Sequence, residues 1–153
     1  MLLPKIVVTL DAFDKTARDF SYRVLELSGG YYIDIISFHP YGANPYIQEE
    51  IVNKSIIMEN EMLAKYGNRW PLWVSEIGQP TSEVSEERQA ELADYVFRKL
   101  YENNISLAWF YYSDQRLAGL GGGTTGWGLL DANGNPKPVF YKIKNFIKEA
   151  KKK

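Results

Sequence analysis

The chain has 153 residues, of which 45% are hydrophobic and 24% charged, and this balance predicts a folded globular protein rather than a disordered chain. The net charge is −1 and the basic residues are scattered, so neither a nucleic acid nor a membrane is predicted as a partner. Cysteine is absent, which excludes disulfides and thiolate chemistry, and with one histidine in the chain we predict no metal and no cofactor.

Four short apolar runs alternate with longer stretches of helical period, which is the pattern of successive βα units on a parallel sheet. The first run covers residues 5–10 and the second covers residues 33–38. The helix after the first run is predicted to end at residues 29–30, and its apolar face consists of Ala17, Phe20, Val24 and Leu27. The helix after the second run is predicted to stop at residues 67–68, and its apolar face consists of Ile47, Ile51, Met58 and Met62.

The third run, residues 72–74, leads directly to Glu76. Ser85 then predicts the start of a third helix, because a hydroxyl cap is followed by Glu86 and Glu87, whose charges suit the positive end of the helix dipole. The predicted apolar face of this helix consists of Ala93, Val96, Phe97 and Leu100.

The fourth run, residues 105–112, is followed by a glycine-rich segment that lacks the Gly-Lys-(Ser/Thr) ending of a phosphate-binding loop. Residues 131–134, Asp-Ala-Asn-Gly, predict a tight hairpin. Phe140, Ile143 and Ile147 mark a final helix, and we expect residues 149–153 to fray.

These elements predict one α/β domain over residues 1–153, with about four βα units. A parallel sheet buried on both faces is either an open layer or part of a closed barrel. Because a full (β/α)8 barrel takes roughly 250 residues, this chain is too short to close one alone.

In βα units the functional side chains lie at the carboxyl ends of the strands. Here those ends present Asp11, residues 39–41 (His-Pro-Tyr), Glu76 and residues 109–112 (Trp-Phe-Tyr-Tyr). A carboxylate, an imidazole, a phenol and an indole at one rim form a constellation, whereas each residue alone has an ordinary structural interpretation. A glutamate at a strand end is commonly a surface or capping residue, and a tryptophan in an apolar run is commonly part of the core.

The segment Pro-Leu-Trp-Val-Ser-Glu-Ile-Gly-Gln-Pro-Thr at residues 71–81 resembles the seventh strand of clan A glycoside hydrolases, whose glutamate is the nucleophile. Residues 39–41 are similar to the sixth-strand His-x-Tyr of that clan, and Trp109 lies where the eighth strand commonly places a tryptophan beneath the sugar. Residues 126–131, with Lys137 and Pro138 after them, resemble the closing segment. The resemblance implies an α/β half-barrel, strands five to eight of a (β/α)8 TIM barrel.

The resemblance also implies a role for each matched residue in a retaining β-glycosidase. Glu76 would be the nucleophile, and Tyr41 and His39 would be its polar support. Trp109 would stack against the sugar ring. The remaining expected substrate contacts are Tyr111, Asp11 and Trp127, although loop anchoring is the first interpretation of Trp127 because it lies between glycines.

The general acid/base of the clan is a glutamate after the fourth strand, and this sequence has no copy of it. Three origins are open: a fragment of a full barrel, a chain that pairs with a complementary N-terminal half-barrel, or a homodimer that closes eight strands. We favour the homodimer, because the exposed edges of a four-stranded parallel sheet favour a partner. Taken singly, the chain is expected to be a poor enzyme.

Two other classes of function are compatible with the sequence: a non-catalytic carbohydrate-binding or structural remnant of a glycosidase barrel, and an open-sheet α/β domain of unrelated function. The first residues show no basic stretch followed by a long apolar run, so we see no signal peptide and expect a cytoplasmic location by default.

Overall fold

The structure is a computed structural model that describes residues 5–10, 15–28, 32–40, 48–67, 69–109, 111–114 and 126–152. Strands and helices alternate along these ranges. In chain order they are β1 Val7–Thr9, α1 Lys15–Ser28, β2 Ile35–Phe38, α2 Gln48–Tyr66, β3 Leu72–Ile77, α3 Glu86–Glu102, β4 Ser106–Trp109, β5 Tyr111–Ser113, β6 Gly128–Leu130 and α4 Pro138–Ala150.

Strands β1 to β4 form one parallel sheet in sequence order, and β5 pairs in parallel with β6 in a second small sheet. Each connection within the first sheet carries a helix, as parallel strands require. The predicted α/β architecture of about four βα units is therefore confirmed.

Several helix boundaries follow from the local sequence signals. The hydroxyl of Ser85 accepts a hydrogen bond from the backbone N–H of Arg88 at 3.1 Å, which is the predicted cap of α3. Gly67 ends α2 with a φ of 62°, and its N–H donates to the Leu63 carbonyl at 2.9 Å. Gly134 has a φ of 85° in the predicted turn. Leu130 before the turn and Pro136 after it form an antiparallel bridge.

The predicted buried face of α1 is wrong. Phe20, Val24 and Leu27 are 71%, 39% and 72% exposed, whereas Tyr22 and Leu25 are buried. Ala17 has no described side chain. The reason is that α1 packs through a mixed face: the Tyr22 hydroxyl donates to Glu61 of α2 at 2.6 Å. An apolar repeat identifies a helix face whose burial is favourable, but it does not identify the element that buries that face.

The predicted final helix is present as α4, and of the three residues that mark it Ile143 is buried. Phe140 is half-buried and Ile147 is exposed, whereas Val139 and Phe146 are buried. Phe146 packs edge-on against Phe97 of α3, with ring centroids 5.6 Å apart. The predicted faces of α2 at its two methionines and of α3 at all four positions are confirmed as buried.

The chain divides into two compact units. One consists of Met1–Ile77 with Leu100–Ala108, and the other of Gly78–Lys99 with Trp109–Lys153. The first unit has its core at β2 and β3, where Ile36, Phe38 and Val74 are fully buried. The single domain and the frayed tail stay predictions. No helix in the described ranges is long and apolar enough to cross a membrane.

Candidate functional site

The carboxyl ends of β2 and β3 bring His39 and Glu76 together. Phe38 lies opposite Val74 in the parallel register, so the next residues along the two strands, His39 and Ser75, are also neighbours. His39 Nε2 lies 3.2 Å from the Ser75 hydroxyl oxygen, and His39 Nδ1 lies 3.7 Å from Glu76 Oε2. The imidazole therefore bridges the hydroxyl and the carboxylate of consecutive residues.

The supporting strands hold this arrangement in place. All four residues of β2 are buried, so the backbone that leads into His39 is packed on both faces. Glu76 lies inside β3, on the same side of the pleat as Leu72 and Val74, because strand side chains alternate. The apolar run 72–74 predicted a strand that ends at Val74, whereas β3 continues to Ile77. The longer strand fixes the backbone of Glu76 in the sheet.

The Glu76 carboxylate keeps contact with solvent. The side chains of His39 and Glu76 are 38% and 25% exposed, so both can meet a ligand without unfolding of the strand ends. A protonated imidazole at 3.7 Å attracts the carboxylate. This distance is too long for a short hydrogen bond to the carboxylate oxygen. Such a carboxylate can act as a nucleophile or accept hydrogen bonds from a ligand.

Trp109, at the end of β4, is fixed by two contacts in the second unit. Its indole N–H donates to the carbonyl oxygen of Trp127 at 2.9 Å, and its ring centroid lies 6.4 Å from that of Phe97 on α3. These contacts give Trp109 a structural role in packing. They also bring together two of the predicted sugar-contact residues, Trp109 and Trp127.

The segment around Trp127 requires both of its flanking glycines. Gly126 has a φ of 71°, and a Cβ there would lie 1.8 Å from the Thr81 hydroxyl. A Cβ on Gly128 would lie 2.5 Å from the Asp114 backbone nitrogen. Any side chain at either position would push the segment away from its neighbours, which agrees with the predicted anchoring role of Trp127.

A buried ion pair beside this segment was missed by the sequence analysis. Lys137 donates to Asp114 at 3.2 Å and to the Gly126 carbonyl at 2.8 Å, and Asp114 accepts the Gly128 N–H at 2.6 Å. Lys137 was noticed only as part of a motif. Asp114 could have been found as the acid that follows an apolar run, at the carboxyl end of a strand.

Other predicted site residues lie outside the described residues. Tyr41 and Asp11 fall in the ranges for which the structure gives no description, and Tyr111 is described only as backbone of β5. Within the described ranges no three side chains of the metal-binding types gather in one place.

Solved glycosidases share this fold. Native xylanase 10B from Thermotoga maritima superposes with a TM-score of 0.56 at 21% identity, over 95% of this chain and 47% of that chain. The endo-1,4-beta-D-xylanase 10B of Clostridium thermocellum, complexed with xylohexaose, gives 0.62 at 17% identity, over 92% of this chain and 29% of that chain. A GH5_18 protein from Bifidobacterium longum subsp. infantis gives 0.58 at 20% identity, over 77% and 31%.

The similarity is therefore to clan A glycoside hydrolase barrels, and it covers only part of each of them. The chain spans between about a third and a half of the length of the first structures that it matches. Four parallel strands alternating with helices correspond to about half of such a barrel. No protein-family model matches the sequence, and no curated protein matches it.

Proposed function

We propose that this chain provides the nucleophile half of a retaining β-glycosidase site, with Glu76 as the attacking carboxylate. The observation that carries the proposal is the placement of Glu76 Oε2 3.7 Å from His39 Nδ1, at adjacent carboxyl ends of parallel strands in a glycosidase-like fold. This rim is where such folds place their catalytic groups.

The proposed reaction has two steps. Glu76 attacks the anomeric carbon and forms a glycosyl ester, while the leaving oxygen takes a proton from a second carboxylic acid about 5 Å away. Water then attacks the anomeric carbon and displaces the Glu76 carboxylate, and the second group, now a base, accepts the proton of the water. Ser75 orients His39 through the 3.2 Å contact, and the imidazole holds the carboxylate toward the substrate. Tyr41 is the proposed donor to Glu76.

The proposed sugar contacts are Trp109, Trp127, Tyr111 and Asp11. Aromatic faces suit the apolar face of a sugar ring, and polar groups at a strand end suit its hydroxyls. The comparison structures include complexes with xylobiose and xylohexaose, so β-linked xylosides are the first substrates to test.

We propose that a second copy of the chain completes the barrel. The first βα unit supports this proposal, because it exposes apolar residues at the start of the edge strand, Ile6 and Val7, and on α1, Phe20, Val24 and Leu27. A complementary N-terminal half-barrel is the other candidate partner. Light scattering separates them: a mass of two chains supports self-association, and a monomer at micromolar concentration contradicts it.

The nucleophile is tested with the 2,4-dinitrophenyl glycosides of β-xylose and β-xylobiose. Their leaving group, 2,4-dinitrophenolate, departs without a proton. Without a general acid, an ordinary alkyl glycoside should react roughly 10²- to 10⁴-fold more slowly than with a complete site. We expect a burst of one dinitrophenolate per chain, no burst with Glu76→Gln, and an unchanged burst with Glu87→Gln, an exposed glutamate on α3. A burst that survives Glu76→Gln would contradict the assignment.

A second candidate is a non-catalytic carbohydrate-binding domain. It is favoured by the contact between Trp109 and the carbonyl of Trp127, which brings together two aromatic residues suited to a sugar ring without need of a catalytic group. In that case xylo-oligosaccharides bind, Glu76→Gln binds them equally well, and neither protein releases dinitrophenolate.

A further inference from the structure

We propose that Gln89 and Lys137 are positioning residues for the tryptophan pair Trp109 and Trp127, and that they act through the carbonyl of Gly126. This inference deepens the proposed function, because it rests on the proposed contact between these tryptophans and the sugar. All the residues involved belong to the second compact unit, so the argument stays within one body.

The Gly126 carbonyl oxygen accepts from three parts of the chain. The Gln89 side-chain nitrogen lies 2.9 Å from it, the Lys137 ammonium 2.8 Å, and the Thr81 backbone N–H donates at 3.2 Å. A carbonyl oxygen has two lone pairs, and a charged donor strengthens the set. One peptide group is thus held from α3, from the residue before α4, and from the loop after β3.

The orientation of the Gln89 amide follows from its neighbours. Its nitrogen donates to the Gly126 carbonyl and also to the Gln79 carbonyl, and two carbonyl oxygens can be met only by the NH₂ group. The side-chain oxygen of Gln89 is then buried with no hydrogen-bond partner in the part of the chain that the structure describes. An apolar side chain would fill this space without burying that oxygen, so the two donated bonds account for the glutamine.

Gln89 thereby ties two loops together. Gln79 is three residues beyond Glu76 in the chain, and Gly126 is the residue before Trp127. Lys137 adds a second tie, because its pair with Asp114 is buried and Asp114 also accepts the Gly128 N–H. The peptide groups on both sides of Trp127 are therefore fixed.

The fixed segment sets the position of Trp109. The carbonyl of Trp127 lies between the anchored residues Gly126 and Gly128, and it accepts the indole N–H of Trp109 at 2.9 Å. If Gly126 is released, this carbonyl keeps only the anchor at Gly128, so its direction is less fixed and its hydrogen bond to the indole opens more often. The tilted contact with Phe97 remains, so the ring stays packed while its edge becomes free to turn.

The test measures solvent exchange of indole N–H groups in ¹⁵N-labelled protein. We expect Trp109 to exchange at least tenfold faster in Gln89→Met and in Lys137→Met than in the original chain. Lys142→Met, a substitution of an exposed lysine on α4, is the matched control and should change nothing. Thr81→Ala removes only the hydroxyl that lies 3.5 Å from the Gly126 carbonyl, and it should accelerate exchange two- to threefold.

Two internal references separate positioning from general loss of stability. The Trp70 indole N–H donates to the Ile33 carbonyl at 3.0 Å in the first unit, and the Ile143 amide reports opening of the second unit. Acceleration confined to Trp109 supports the proposal. Equal acceleration of Trp109 and Ile143, or an unchanged Trp109 rate in the folded variants, overturns it. If Lys137→Met does not fold, Gln89→Met and Thr81→Ala decide.

The functional arm uses the 2,4-dinitrophenyl β-xylobioside. We expect Gln89→Met to raise the xylobioside concentration that gives a half-maximal burst rate at least tenfold and to change the maximal burst rate less than threefold, because a sugar platform acts mainly in binding. If the original chain gives no burst, the proposed nucleophile role fails, whereas the exchange measurement still decides the positioning role. An unchanged half-maximal concentration together with accelerated Trp109 exchange contradicts the link from this anchor to the substrate.

Discussion

The first βα unit and the β2–β3 pair are built from similar residues and are buried very differently. In β2 every residue is buried, whereas in β1 Val7 and Thr9 are exposed and Val8 is half-buried. Phe38 at the end of β2 is fully buried, and Phe20 on α1 is 71% exposed. Apolar sequence alone therefore does not determine burial, because a strand also needs neighbours on both of its edges.

This difference in burial indicates which strands can hold the residues of the candidate site rigidly. His39 follows β2 and Glu76 lies near the end of β3, and these two strands are paired with each other, so the geometry of both side chains depends on that pairing. The first βα unit exposes apolar side chains on β1 and α1 that a neighbouring element could cover. The β2–β3 pair is packed within the chain, whereas the outer side of β1 and α1 is the surface that the proposed partner would cover.

The largest expected contrast is between two phenylalanine truncations. Phe38→Ala should lower the free energy of unfolding by about 3–5 kcal/mol, because it leaves a cavity in the core. Phe20→Ala should change it by less than about 0.5 kcal/mol in the monomer. Urea denaturation measures both. Equal losses in the two variants would show that α1 is covered within a single chain.

Self-association gives the next effect. The double substitution Phe20→Glu with Leu27→Glu places charges on the exposed apolar face of α1. The dissociation constant of the proposed dimer should rise at least about a hundredfold, because each buried apolar side chain contributes about 1.5–3 kcal/mol. Sedimentation equilibrium measures this change. Phe20→Leu is the control, and an unaltered association would place the interface elsewhere.

The buried side of α1 should have its own pH dependence. Burial, and then the hydrogen bond to Glu61, raise the pKa of Tyr22 above the ordinary value near 10. The unfolded chain therefore loses this proton first, so the stability from Tyr22 is complete below about pH 10 and falls above it, by up to about 1.4 kcal/mol per pH unit. Tyr22→Phe should flatten this alkaline decline in urea titrations. Equal slopes in both proteins would mean that the phenol is not held neutral.

The smallest effect is expected at the link between β1 and β2. The hydroxyls of Thr9 and Ser37 lie 2.8 Å apart, and Thr9 is exposed to water. Thr9→Val keeps the β-branched shape and should lower stability by no more than about 0.5 kcal/mol. Thermal unfolding can measure this. A loss of more than about 1.5 kcal/mol would show that β1 is as firmly held as β2.

Signals that are local in sequence predicted much of the fold. The Ser85 cap, the Gly67 stop and the buried face of α3 depend on neighbouring residues, and the structure confirms them. The face of α1 was predicted wrongly because its burial depends on a distant partner, Glu61 of α2, which accepts a hydrogen bond from Tyr22. An apolar period carries no information about which partner is present.

The candidate site likewise has one part that the sequence predicts and one part that it does not. His39 and Glu76 could be predicted to approach each other, since both follow parallel strands that end at one edge. The anchor made by Gln89 and Lys137 could not, because these residues are far apart in the chain and meet at a backbone carbonyl. Backbone acceptors leave no mark in a sequence.

Covalent labelling is the most direct test of the central claim that Glu76 is the nucleophile. The protein is incubated with 2,4-dinitrophenyl 2-deoxy-2-fluoro-β-xyloside, whose fluorine slows breakdown of the glycosyl ester, and its peptides are mapped by mass spectrometry. We predict one added fluoroxylosyl group on the peptide that contains Glu76, and none in Glu76→Gln. An unlabelled chain, or a label on another carboxylate such as Asp114, would contradict the account.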